Sequence, residues 1–244
     1  MGPLPSLAEQ RRHHAAADPH VRGRWLSDLV LGAQDGVVNT LGVLLGVASA
    51  TTDRNIIVAT GMAAAVAESI SMAAVAYTSS MARGELYQAE REREYRHIQR
   101  TPDVEREEVR RLFAEKGFDG DLLERAVATV CSNRDVWVAT MMKEEHALGA
   151  VDGRSSLRSA LVVGSASLVA SVTPVSPFWP PGGTVSHRLA IVLALVIGAV
   201  LLASLGAFKA RLTIGSPMRS GVVLLTIGMC SALAGWAVGF LASR

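Results

Sequence analysis

The chain has 244 residues, 50% hydrophobic and only 19% charged, with a formal net charge of +2 and a mean hydropathy of +0.30. A soluble domain of this size carries about a quarter charged residues, and here the charges crowd into the N-terminal tail and one central stretch. That distribution excludes an ordinary soluble enzyme and points to an all-α polytopic membrane protein, while the small charge and the lack of basic–aromatic runs exclude nucleic acid as a partner.

Residues 1–24 form a polar, basic, Pro-containing tail (Arg11, Arg12, His13, His14) with no signal-peptide pattern, so the first apolar span is expected to insert the protein. Cys131 and Cys230 suggest neither a disulfide framework nor a zinc motif. The first span, about 26–50, contains Asp28, Gln34, Asp35 and Asn39. A carboxylate near mid-span is costly and marks function; the alternative has Asp28 at the interface and Asp35 capping a short helix. Gly32/Gly36 and Gly42/Gly46 repeat the spacing that lets helices approach closely, which suits a homodimer seam or packing inside one bundle.

After a polar turn at 51–55, a second span covers about 56–81, with Glu68 and Met72 on one helical face. Met72 alone would read as core filler; beside Glu68 it makes a candidate transition-metal site. Only Gly84 interrupts the run to Arg100, which predicts one long helix entering the charged insert at 83–154. Thr101 as N-cap, Pro102 at the first helical position, and Asp103 and Glu105 in the first turn restart the chain. Val104, Val109, Leu112 and Phe113 are its expected buried stripe, and Lys116-Gly117 its end. A third helix, 121–132, is expected to bury Leu122, Leu123, Ala126, Val127 and Val130. Asp135 is expected to cap a fourth, carrying Val136, Trp137, Met141, Met142 and Glu145 up to Gly149. Further spans at about 157–175, 189–208 and 222–241 make about five in all. Basic residues of the tail, the insert and the 209–219 loop alternate onto one face, so the insert is expected in the cytoplasm. The chain thus divides into 1–24, 25–82, 83–154 and 155–244.

Within the insert, Glu94/His97 (a Glu-x-x-His), Glu105/Glu108 and Met142/Glu145 are i,i+3 pairs, with Met141 four before Glu145. The Thr101-Pro102 turn would fold the first two helices back on each other, and helix bundles build metal sites from such elements. Carboxylates with one imidazole suit Mn²⁺, Fe²⁺ or Zn²⁺, and a thioether shifts preference away from Mg²⁺ and Ca²⁺. Spacing alone leaves a second reading open, because REREYR and EREEVRR also make the Glu–Arg pairs of a solvated helix. Glu90, Glu92, Glu107 and Glu115 are read as surface charge.

DGVVNTLGVLLGV in the first span, SISMAAVAY in the second, EREREYRHIQRTPDVEREEV across the hairpin and VWVATMMKEEHALG before the third span resemble the vacuolar iron transporter family over nearly the whole chain. The resemblance implies a homodimer of five-span subunits exchanging divalent metal for protons, with the ion moving along the dimer interface past positions matching Asp35 and Met72. It also implies a cytoplasmic domain whose metal ligands match Glu94, Glu105, Glu108, Met141, Met142 and Glu145. The chain departs from the pattern at His97, where glutamate is usual; at Ala64, where some members have a glutamate that Glu68 would replace; and at Leu148, sometimes acidic in relatives. The expected cargo is Fe²⁺, with Mn²⁺, Zn²⁺ or Co²⁺ as further candidates, and no enzymatic activity is expected. A membrane-anchored metal buffer or sensor is the rival reading. A di-iron enzyme ranks last, because it would need two Glu-x-x-His elements. Compact loops suit a bacterial inner membrane, with an organelle membrane as the alternative.

Overall fold

A computed structural model describes residues 6, 8, 23–144, 153–179, 185–212 and 215–243. Among these, the chain is all helical, and five helices are long and apolar enough to cross a membrane. They are α1 (Gly23–Ala50), α2 (Arg54–Arg100), α6 (Gly153–Val172, extended by a 3₁₀ turn at Thr173–Phe178), α7 (His187–Leu212) and α8 (Pro217–Ala242). The short helices α3 (Pro102–Glu115), α4 (Gly120–Cys131) and α5 (Arg134–Glu144) lie between the second and third of them in sequence. Contacts divide the chain into two compact units, one of Met1–Ala74 with Ser159–Arg244 and one of Val75–Arg158.

In the first unit, α1 is held by glycines on two of its sides. Gly32 and Gly36 meet the backbone of Val163 and Ser167 on α6, while Gly42 and Gly46 meet Ser231 and Gly235 on α8. Backbones approach this closely only where Cβ atoms are missing. The small-residue faces are therefore used inside the subunit, which decides between the two readings of their spacing. Ser231 Oγ donates to the Val38 carbonyl at 3.0 Å and Ser49 Oγ to the Gly46 carbonyl at 2.8 Å, so hydroxyls satisfy themselves on backbone within the same crossing. Val37, Leu41, Leu45, Leu202 and Leu224 fill the core around it.

The second unit is built from local signals. Helix α2 runs 47 residues without a break, about 70 Å at 1.5 Å per residue, because Gly84 sits inside it unassisted by proline. A single residue, Thr101, separates it from α3. Thr101 occupies the N-cap position, but its hydroxyl turns back to the His97 carbonyl at 3.1 Å and caps nothing on α3. The far end of α3 follows expectation. Gly117 takes φ +90°, its N–H reaches the Ala114 carbonyl at 2.9 Å, and the Phe118 N–H reaches Phe113 at 3.2 Å. That is the two-bond Schellman arrangement, closed by the Phe113 and Phe118 rings edge to face at 5.3 Å.

Other local expectations need correction. Asn133, not Asp135, caps α5: its Oδ1 accepts from the N–H groups of Asp135 and Val136 at 2.9 and 3.2 Å. Val104 and Leu122, expected to be buried, are exposed, while Ile98, Val109, Val127, Trp137, Val138, Met141 and Met142 form the core. An amphipathic stripe on so short a helix can be drawn one residue either way, and packing chooses. Glu145, Leu148 and Gly149 lie outside the described residues. Cys131 and Cys230 are free thiols.

Two measurements check these contacts. Gly235→Ala drives a methyl into the Gly42 backbone and should cost about 1–3 kcal/mol, the usual price of overpacking; Gly153→Ala, with open space around it, should leave the melting temperature in detergent unchanged. Lys116 donates to Glu144 at 2.5 Å, which holds that carboxyl below its ordinary titration range. The contact therefore helps the fold above the ordinary carboxylate value and loses its effect as pH falls through the lowered one. Lys116→Met should return the Glu144 titration, followed by ¹³C NMR, to the ordinary range.

Candidate metal centre

The one-residue joint at Thr101 sets the geometry of the polar group in the second unit. Glu94 and His97 lie one turn apart near the end of α2, and Glu105 sits in the first turn of α3. His97 Nδ1 is 3.4 Å from Glu105 Oε1 and 4.0 Å from Glu94 Oε1. One ligand atom from each residue falls within 4.8 Å of the other two. Both glutamates are buried, at 3% and 4% exposure, whereas the His97 side chain is half exposed. Burying carboxylates is expensive unless cations or donors face them. A divalent ion among two carboxylate oxygens and an imidazole nitrogen would meet that requirement, with the open side at His97 as its entrance. No shift away from this chemistry is needed: oxygen and nitrogen ligands in this proportion suit Mn²⁺, Fe²⁺ or Zn²⁺.

The structure brings together three of the seven residues expected here. Glu108, one turn beyond Glu105 and half-buried, is not part of the group. Met141 and Met142 are fully buried on α5, in the apolar cluster that also contains Ile98 and Val109, next-door neighbours of His97 and Glu108. Glu145 lies outside the described residues.

A different polar group sits in the first unit. Asn39 donates to Asp35 Oδ2 at 3.2 Å across one turn of α1, and Glu68 of α2 lies at hydrogen-bonding range of both Asp35 and Asn39. Met72, half-buried, follows one turn after Glu68 on the same face. Asp35 is therefore no helix cap: α1 continues 15 residues beyond it to Ala50. Asn39 was not among the expected site residues, although its i+4 spacing from Asp35 was visible and predicts the contact.

Sequence reasoning also missed a clamp between α2 and α5. Tyr95 donates to Asp135 Oδ1 at 2.5 Å, and Arg134 donates to the Tyr95 carbonyl at 2.7 Å. The guanidinium groups of Arg91 and Arg134 lie over the Tyr95 ring, 5.2 and 4.9 Å from its centre. These partners are about forty positions apart in sequence, and no local pattern links them.

The family model described as the VIT family matches residues 26–240. Vacuolar iron transporter 1 of Tulipa gesneriana is 27% identical over 241 residues, which covers 97% of this chain and 94% of that protein. Vacuolar iron transporter 1 of Arabidopsis thaliana is 26% identical over 213 residues, covering 87% and 84%. The vacuolar iron transporter of Plasmodium falciparum is 23% identical over 220 residues, covering 88% and 81%.

If the buried group binds metal, Glu105→Gln keeps its shape and removes a charged ligand. Loss of an outer-shell partner alone typically costs about 10–100-fold in affinity, so Mn²⁺ binding, read by electron paramagnetic resonance on the full-length protein, should weaken at least about tenfold. Unchanged binding would remove these three residues from consideration.

Proposed function

We propose that this chain, which belongs to the VIT family, is a membrane transporter of divalent metal ions, with Fe²⁺ as cargo and protons moving the other way. The observation that carries the reading is the meeting of two half-buried carboxyl groups, Asp35 of the first span and Glu68 of the second, beside the exposed amide of Asn39. Two carboxyl groups that close hold either a proton or a cation between them, and one site that exchanges the two is the simplest coupling of their fluxes. Met72 supplies a soft ligand one turn away, which suits Fe²⁺ and disfavours Mg²⁺ and Ca²⁺. Glu68 takes the role of the second-span glutamate that Ala64 lacks. The curated relatives named as iron transporters support iron; Mn²⁺, Zn²⁺ and Co²⁺ fit the same ligands.

The insert lies on the cytoplasmic side, as the distribution of basic residues supports. There Glu94, His97 and Glu105, joined by Glu108, Met141, Met142 and Glu145, capture ions for the spans. His97 in place of a glutamate lowers the site's negative charge. The subunit works as a homodimer in this reading; because the α1 glycines are occupied within the subunit, its seam uses other residues. The relatives are named for a vacuole, which supports an organelle membrane and lends nothing to the bacterial inner membrane suggested by the compact loops. A metal buffer or sensor anchored by its spans would not need two carboxyl groups meeting along them.

The test is Fe²⁺ or Mn²⁺ flux into proteoliposomes under an imposed pH gradient. Wild type should move metal, Asp35→Asn should fall to background, and Glu105→Gln should slow uptake at low metal concentration without abolishing it. Flux through Asp35→Asn equal to wild type would sink the reading. A wild type that binds metal but never moves it would leave the buffer or sensor standing.

A further inference from the structure

We propose that the α7–α8 hairpin carries a binding groove for one anionic phospholipid, its phosphate held by Arg219 and an acyl chain laid along Met218, Val222 and Val223. The inference goes beyond transport and needs only that the chain sits in a bilayer. Its starting point is a charge imbalance in the sequence. No Asp or Glu follows Asp152, yet the rest of the chain holds seven Lys and Arg. Three of them, Lys209, Arg211 and Arg219, crowd around the turn between α7 and α8, and all three are exposed. Among the described residues, no ion pair includes Arg211 or Arg219.

Helix stability accounts for only part of this. Lys209 and Arg211 lie in the last turn of α7, where the helix dipole favours cations. Arg219 lies in the first turn of α8, just after Pro217 and Met218, where the dipole opposes a cation and favours an anion. Membrane orientation asks for basic residues in such a loop, but it does not ask for a groove beside one of them. An open groove of about 390 Å³ is present, lined by Ser216, Met218, Arg219, Val222 and Val223. Its frame is tightly packed. A methyl added to Gly206 of α7 would stand 2.6 Å from the carbonyl oxygen of Ser220, the residue after Arg219, so the two helices meet backbone to backbone there.

The lining is polar at one end and apolar at the other. Ser216 and Arg219 stand at the start of α8, Val222 and Val223 a turn deeper, and Met218 completes the apolar wall. Met218, Val222 and Val223 are 82%, 56% and 48% exposed, so the protein itself does not cover them. From Ser216 to Val223 the chain rises about 10 Å, enough to cross a headgroup layer of about 5–8 Å and enter hydrocarbon. A soluble phosphate would use the polar end and leave the apolar wall unused. A zwitterionic lipid would set its ammonium among three cations. An anionic phospholipid matches both ends, and each cation near an anionic headgroup adds about fivefold to the attraction. This end of α7 and α8 is the one read above as cytoplasmic, the leaflet in which anionic lipids concentrate.

Native mass spectrometry of the full-length protein in neutral detergent, with a chelator so that no metal bridges lipid and protein, reads this directly. The probes are dioleoyl phosphatidylglycerol, dioleoyl phosphatidylcholine and glycerol phosphate. Wild type should hold phosphatidylglycerol about tenfold or more tighter than phosphatidylcholine, and Arg219→Gln should cut that preference by about fivefold. Arg219→Lys, which keeps the charge, should retain most of it. Arg188→Gln removes another exposed cation of the acid-free segment, at the opposite end of α7, and should change nothing. Val222→Ser/Val223→Ser should weaken both lipids alike. Equal affinity for the two lipids would overturn the proposal, as would a preference that survives Arg219→Gln or a double valine variant that binds like wild type. Glycerol phosphate held as tightly as the lipid would overturn it too, by making the ligand a soluble phosphate. Because the readout is binding, a wild type that moved no metal would sink the transport reading and leave this one intact.

Discussion

Close contact of backbones around α1 is the constraint on which the membrane part of the protein depends. Its glycines meet α6 at one end and α8 at the other, and that contact fixes the rotation of the helix about its own axis. Once the rotation is fixed, Asp35 and Asn39 have no choice of direction: with the glycine positions taken by α6 and α8, their side of the helix meets Glu68. The polar group is thus a by-product of packing elsewhere on the same helix. Van der Waals contact is well suited to this role in a bilayer, where helices gain nothing from hiding apolar surface from lipid.

The chain keeps carboxylates away from water in two different ways. In the bundle, Asp35 and Glu68 are only half-buried and share one amide donor, Asn39. In the helical insert, Glu94 and Glu105 are almost wholly buried, yet the imidazole that faces them is half exposed. The first arrangement leaves the carboxylates room to exchange what they hold. The second holds two carboxylates under cover and leaves a single side chain at the open edge. The two arrangements differ in access to solvent, and they arise from the same residue types.

The architecture was legible wherever one local signal dominated. Hydropathy located all five long helices, and the uninterrupted run to Arg100 foretold the length of α2. Thr101-Pro102 and Lys116-Gly117 marked both ends of α3. Glu94 and His97 were paired by spacing, and Glu105 was joined to them by reasoning about the turn. What was missed depended on packing or distance. Val104 and Leu122 belong to stripes that were drawn one position too wide, which a helix of three turns does not penalise. Asn133 and Asp135 are both good caps two residues apart, and only the backbone decides between them. The glycine spacings on α1 described a close approach without naming the partner. Tyr95 and Asp135 meet because two helices fold onto a common core, and nothing near either residue announces it.

The joint at Thr101 has an evolutionary consequence. Loops are ordinarily where related chains gain and lose residues, because a longer connection costs little entropy. Here the connection is a single residue, with His97 of the buried group before it and Glu105 after. One inserted residue would turn Glu105 about 100° around its helix and carry it off His97. The number of residues from Glu94 to Glu105 is therefore as much a part of the group's geometry as their identities. A substitution at position 97 leaves that spacing intact, whereas a change of length across the turn does not.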